Sequence, residues 1–192
     1  MVGNDINGDG QSDMFWRSSN LVTWWLMNGT VTKATGTTSK TGTQHLVAMP
    51  NIHGDSFEDL LWLDESSGVF WLWQSIYDQY VKEPLDWQLP GDGWRVLGAV
   101  DIDGDRRGDL LLHDPATGAF EWWLVDGLHV ATTHSSQVPV AWRLAATGDL
   151  DGDGQGDLVW RDPTAVLVSR AEERRRTRPH VCKTVSPLVA PS

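Results

Sequence analysis

One cysteine, Cys182, stands among the 192 residues, so no intrachain disulfide can brace the chain. No run of 18 apolar residues occurs, which excludes a membrane-spanning helix, and no signal peptide is visible in the first 15 residues. Basic charge is scarce: 15 Lys and Arg face 26 Asp and Glu, for a formal net charge of −11, which argues against a nucleic-acid partner. There is no Gly-x-Ser-x-Gly elbow, no His-Glu-x-x-His pair and no glycine loop of the phosphate-cradling type. The six histidines are scattered. The expectation is a chain that is not an enzyme.

What the chain does have is one acidic, glycine-punctuated phrase repeated four times, over residues 5–13, 51–59, 101–109 and 149–157. Fourteen of the 26 acidic residues lie in these phrases, so the acidity reports local clusters rather than a general surface bias. Calcium takes roughly six to eight hard oxygen ligands at about 2.3–2.6 Å. Carboxylates at alternate positions 1, 3 and 5 of a curled loop converge on one point, position 9 closes the far side, and the backbone carbonyl of position 7 adds an oxygen. The expected ligands are Asp5, Asn7, Asp9, Gln11 and Asp13 in the first loop, and Asp101, Asp103, Asp105, Arg107 and Asp109 in the third. Asp149, Asp151, Asp153, Gln155 and Asp157 form the fourth set, with Gln11, Arg107 and Gln155 contributing main-chain oxygen. In the second loop Asn51 and His53 stand where Asp is expected, so that loop binds calcium weakly or not at all. Three bound calcium ions would bring the net charge to about −5.

Position 2 of the loops is apolar, Ile6, Ile52, Ile102 and Leu150, and is expected to pack inward. Position 12, where an EF-hand needs an oxygen ligand, is Trp16, Leu112 and Trp160 in the three intact loops. Each loop is followed by a short apolar run of strand length. These loops therefore join strands.

The loops start 46, 50 and 48 residues apart, and Trp24, Trp25 and the turn Asn28-Gly29 recur as Trp122, Trp123 and Asp126-Gly127. A period of this size with several short strands marks a repeat array of propeller-blade type. In the third unit four strands are expected, at residues 94–99, 109–113, 119–125 and about 130–137.

These features resemble the FG-GAP or VCBS repeats of integrin-α-like β-propellers, whose blades carry an Asp-x-Asp-x-Asp-Gly-x-x-Asp loop between their first two strands. The likeness covers residues 1–163 as an incomplete β-propeller, and Arg106 departs from its usual Gly. It implies an all-β fold of four-stranded antiparallel blades. Closed propellers hold roughly four to eight blades; this chain supplies two whole ones, three strands of another and two strands of a last. Unpaired blade edges then favour self-association.

The repeat grammar breaks near Thr164. The tryptophan pair due at 170 and 171 is replaced by Arg170 and Ala171, and six of the 15 basic residues fall in the last 28 positions. Residues 164–192 are expected to be a disordered, off-pattern tail left by a frameshift or truncation.

Twelve tryptophans complete the picture. Trp16, Trp62 and Trp160 share one register and Trp24, Leu72 and Trp122 another, as expected of core. Trp25, Trp73 and Trp123 fall on the opposite face, and Trp87 and Trp94 flank residues 90–93, positions suited to stacking on sugars. The reading is a calcium-binding module for extracellular or cell-envelope protein or ligand interaction and adhesion. The alternatives are a carbohydrate-binding lectin-like propeller and, further off, a non-catalytic part of a secreted polysaccharide-active enzyme.

Overall fold

The computed structural model describes residues 5–55, 57–76 and 79–163. The expected tail, 164–192, lies outside the described residues. Among those described there is no helix; thirteen strands form four antiparallel sheets. The first sheet runs β1 (Met14–Arg17), β2 (Leu21–Asn28), β3 (Val31–Ser39). The second runs β4 (Gln44–Ala48), β5 (Leu60–Asp64), β6 (Phe70–Ile76), β7 (Gln79–Pro84). The third repeats that order as β8 (Arg95–Val100), β9 (Asp109–His113), β10 (Ala119–Asp126), β11 (His129–Gln137), and the fourth holds β12 (Arg143–Gly148) and β13 (Asp157–Arg161). All four strands expected in the third unit are present at those places.

Local chemistry explains the hairpins. Asn28-Gly29 and Asp126-Gly127 turn β2 into β3 and β10 into β11, with Gly29 and Gly127 at φ 61° and 62°, where a Cβ is disfavoured. The next turn inward is pinned by an aspartate: Asp64 Oδ1 accepts the Ser66 amide at 2.9 Å, and Asp114 Oδ1 accepts the Ala116 amide at 2.9 Å. The first strands of the last three sheets, β4, β8 and β12, each carry one irregularity at the same register, between Leu46 and Ala48, Val96 and Gly98, and Leu144 and Ala146. Such a bulge bends the strand just before it enters the acidic loop.

Successive sheets bury their faces against one another. Ile6, Val22, Trp24 and Leu26 of the first repeat meet Leu60, Trp62 and Trp73 of the second. Ile52, Leu61, Phe70 and Leu72 then meet Leu110, Leu112, Trp123 and Val125 of the third. Leu111, Phe120 and Trp122 pack with Trp160 of the fourth. Backbones of neighbouring sheets approach most closely along β4, β8 and β12, the first strand in chain order of each of the last three sheets. A sheet covered on both sides has no polar face, so Trp73 and Trp123, expected to line a groove, are buried in these cores instead. Of that register Trp25 alone is exposed among the described residues, as is Trp16 of the register expected in the core. Leu150, expected to pack inward like Ile6 and Ile52, is also exposed, because it sits on the outer side of the fourth sheet.

Candidate metal centre

The four loops share one backbone course. Position 4 is Gly8, Gly54, Gly104 and Gly152, all left-handed, at φ 71°, 70°, 85° and 78°. The curl points amides inward at the position-1 side chain. Asp5 accepts the amides of Asp9 at 3.1 Å and Gly10 at 2.8 Å. Asp101 accepts Gly104 at 2.7 Å, Asp105 at 3.1 Å and Arg106 at 2.8 Å. Asp149 accepts Gly152 at 2.7 Å, Asp153 at 3.2 Å and Gly154 at 3.0 Å. At position 5, Asp9, Asp105 and Asp153 accept the amides of Gln11, Arg107 and Gln155 at 3.0, 2.7 and 2.9 Å.

The result is convergence. Ligand atoms of Asp101, Asp103 and Asp109 lie within 4.8 Å of one another, as do those of Asp149, Asp151 and Asp153. Such groups could hold a metal ion: the donors are hard oxygens, the set calcium prefers. Asp105 is not part of the closest group in the third loop, nor Asp157 in the fourth. Side chains at position 7 turn elsewhere: Gln11 Oε1 accepts the Gly29 amide at 2.8 Å, and Arg107 Nη1 donates to Asp126 at 2.5 Å. In the first loop Asn7 Oδ1 accepts the Asp9 amide at 3.1 Å, and the Lys33 ammonium lies 3.7 Å from Asp9.

In the third loop burial, with like charge behind it, raises two carboxyls, Asp109 and Asp103. Burial pushes the Asp109 carboxyl up to about 7, against two amides that favour its ionised form, while Asp103 and Asp105 push it further. Asp103 is raised by burial and then by the charges of Asp105 and Asp101. Burial likewise raises Asp13 and Asp59.

Position 9 does something the sequence reading did not foresee. Its carboxylate clamps two elements: Oδ2 accepts the position-2 amide (Ile6, Ile52, Ile102 and Leu150, at 2.8, 3.2, 2.8 and 2.8 Å). Oδ1 accepts an amide from the strand after the one the loop leads into, from Met27, Ser75 and Val125 at 2.8, 2.9 and 3.0 Å. Asp13, Asp59, Asp109 and Asp157 are buried. No feature of the repeat spacing distinguishes this clamp from a ligand.

A second missed feature ties loop to loop. The position-8 amide of each loop donates to the position-1 carbonyl of the one before: Glu58 to Asp5 at 3.2 Å, Gly108 to Asn51 at 2.9 Å, Gly156 to Asp101 at 2.5 Å. A Cβ on Gly108 would come 2.6 Å from Pro50 Cβ, and one on Gly156 would come 2.7 Å from the Asp101 carbonyl. Glycine at position 8 of the third and fourth loops was the available signal. Whatever holds one loop therefore also holds its neighbour's sheet.

Outside the loops, a hollow of about 620 Å³ lies between the second and third sheets, lined by Trp87, Trp94, Glu65, Asp92 and Arg95 among others. No helix of the described residues is long and apolar enough to cross a membrane. No protein-family model matches the chain, and no curated protein matches its sequence.

Proposed function

We propose that the chain is a calcium-binding repeat module, part of a β-propeller, that serves protein or ligand interaction in an extracellular or cell-envelope setting and carries out no catalysis. The observation that carries this is the repeated convergence of carboxylates at Asp101, Asp103, Asp109 and at Asp149, Asp151, Asp153. Asp5, Asn7 and Asp9 form a third site with an amide in place of one carboxylate. Bound calcium supplies positive charge and several oxygen bonds at once, so it neutralises a loop and stiffens the two strands it joins. The amide link from each loop to the previous one extends that stiffening to the sheet–sheet contact. The close approach of β4, β8 and β12 supports the propeller reading, in which those strands face a common axis. Weak loops fill where free calcium is abundant, hence the extracellular setting.

The test is calorimetric melting with calcium and with chelator. The midpoint rises by several degrees with calcium, since each kcal/mol is worth about 2–4 °C in a chain of this size. An unchanged midpoint reduces the loops to acidic turns.

A second reading, glycan binding, is favoured by the hollow beside Trp87 and Trp94, where Glu65, Asp92 and Arg95 supply polar groups near an indole wall. Simple sugars would then shift tryptophan fluorescence. A glycan array that stays blank in calcium removes this reading.

A further inference from the structure

Each sheet has two unlike faces, and within the chain the same two faces meet three times. The side turned to the preceding sheet presents Leu60, Trp62 and Trp73 in the second repeat and Leu110, Leu112 and Trp123 in the third, all at most 5 % exposed. Their register equivalents in the first sheet are Met14, Trp16 and Trp25, since Met14 pairs with Trp25 as Leu60 pairs with Trp73 and Leu110 with Trp123. These three are 44 %, 40 % and 38 % exposed, with the Trp16 and Trp25 rings 4.6 Å apart. The side turned to the following sheet presents position 2 of the loop, buried at Ile6 and Ile52. In the fourth repeat that residue is Leu150, 57 % exposed, beside the exposed Ala145 and half-buried Val159.

Among the described residues, the exposed faces of the first and fourth sheets are thus the two unlike halves of one repeated contact. The loop-to-loop bond obeys the same logic: donors come from the second, third and fourth loops and acceptors from the first, second and third. Ser12 is the next donor in that series and Asp149 the next acceptor.

We infer that the Met14, Trp16, Trp25 face of one copy docks on the Leu150 and Val159 face of a second copy, head to tail, continuing the stacking found inside the chain. An exposed indole pair on a flat sheet is the type of apolar patch that marks an interaction site. The occupant that fits it is the surface that already covers its equivalents twice, at Trp73 and Trp123. A contact between unlike faces propagates, so it closes a ring or extends a filament rather than stopping at a pair. The inference rests on the repeated core and not on calcium.

The experiment is sedimentation velocity on the full chain over a concentration series, with Trp25→Glu, Leu150→Glu and an equimolar mixture of the two. The parent chain gains mass with concentration, in steps of at least twofold. Each variant alone stays monomeric, because each has lost one half. The mixture forms a dimer and goes no further, because the two intact halves pair once. If Leu150→Glu still dimerises by itself, like faces are pairing and the head-to-tail arrangement is wrong. A parent chain that remains monomeric to its solubility limit overturns the inference, and the face then belongs to another partner. Near-ultraviolet circular dichroism confirms that the variants are folded; Trp16→Lys and Val159→Glu form a substitute pair if either is not, with the same pattern expected.

Discussion

The second and third repeats carry the same loop on different chemistry. In the third, Asp101 and Asp103 hold positions 1 and 3; in the second, Asn51 and His53 do. Yet the position-9 clamp is unchanged: Asp59 takes the amides of Ile52 and Ser75 at 3.2 and 2.9 Å, as Asp109 takes those of Ile102 and Val125 at 2.8 and 3.0 Å. In the second loop His53 Nδ1 stands 3.2 Å from Asp59 Oδ2, so an imidazole occupies the space where the third loop gathers carboxylates. The second loop keeps the buried position-9 carboxylate, a position-1 acceptor and the position-5 acceptor, where Asp55 takes the Phe57 amide at 3.0 Å, and it tolerates the loss of the carboxylates at positions 1 and 3. The third loop thus carries two carboxylates, Asp101 and Asp103, that the second replaces with an amide and an imidazole.

The comparison breaks most severely at position 9. Asp59→Ala and Asp109→Ala each remove an acceptor of two buried amides, and with charged acceptors worth about 1.5–3 kcal/mol apiece, the expected loss is about 3 kcal/mol or more in either repeat. Equal costs by denaturant or thermal unfolding support a shared clamp. A cost confined to Asp109 would mean that the second loop is held some other way.

On the proposed calcium binding, the ion should separate the two loops where the clamp unites them. At 100 times its dissociation constant one bound ion stabilises by about 2.7 kcal/mol. Grafting the second loop onto the third, as Asp101→Asn with Asp103→His, should abolish the third loop's share, read as one site fewer in a calcium titration by calorimetry. The reverse graft, Asn51→Asp with His53→Asp, should add a site. Unchanged stoichiometry in both directions would sink the assignment of ligands to positions 1 and 3.

A smaller effect is expected at position 6. Arg106 has φ 71°, the left-handed region where the Cβ of a non-glycine residue is crowded, and Gly10 and Gly154 occupy the same place at φ 81° and 89°. Arg106→Gly should raise stability by about 1 kcal/mol. Thermal melting in chelator checks this without calcium obscuring the change.

Residues 101–109 show how far the sequence could be read. The hairpins were legible because Asn28-Gly29 and Asp126-Gly127 declare a tight turn within two residues, and the sheets because the phrase recurs at a near-constant step. Facing was not. Trp25, Trp73 and Trp123 are identical in sequence and register, but two are buried and one is exposed, because burial depends on whether another sheet stands alongside. Leu150 misled for the same reason. The dual role of Asp109 was invisible because a carboxylate accepting two amides and one binding a cation require the same residue at the same spacing. Gly156 could have been noticed: a glycine with no turn to make marks a close backbone approach, and its Cβ has no room beside Val100 and Asp101.

The smallest effect separates the two repeats near the end of their second strands, where Leu63 and His113 are register equivalents, paired with Phe70 and Phe120 on the next strand. Leu63 is an apolar side chain packed against the core between the second and third sheets and carries no proton to exchange. His113 is buried against Trp160, ring centroids 5.8 Å apart, and burial lowers its imidazole, helped by Arg143 of β12 and opposed by Asp114; Arg95 of β8 pairs with it across the sheet. A base whose folded pKa lies below its ordinary value of 6.5 is stabilising as the neutral form. Its contribution is present above 6.5 and drains away as the pH falls through the lower folded value, because the unfolded chain takes up the proton first. Acidification from neutral should therefore loosen the contact between the third and fourth sheets. The midpoint should drift down by less than for any substitution above, and His113→Phe, which keeps a ring against Trp160, should flatten that part of the profile. A profile of unchanged slope in His113→Phe would assign the acid sensitivity to the loop carboxylates instead.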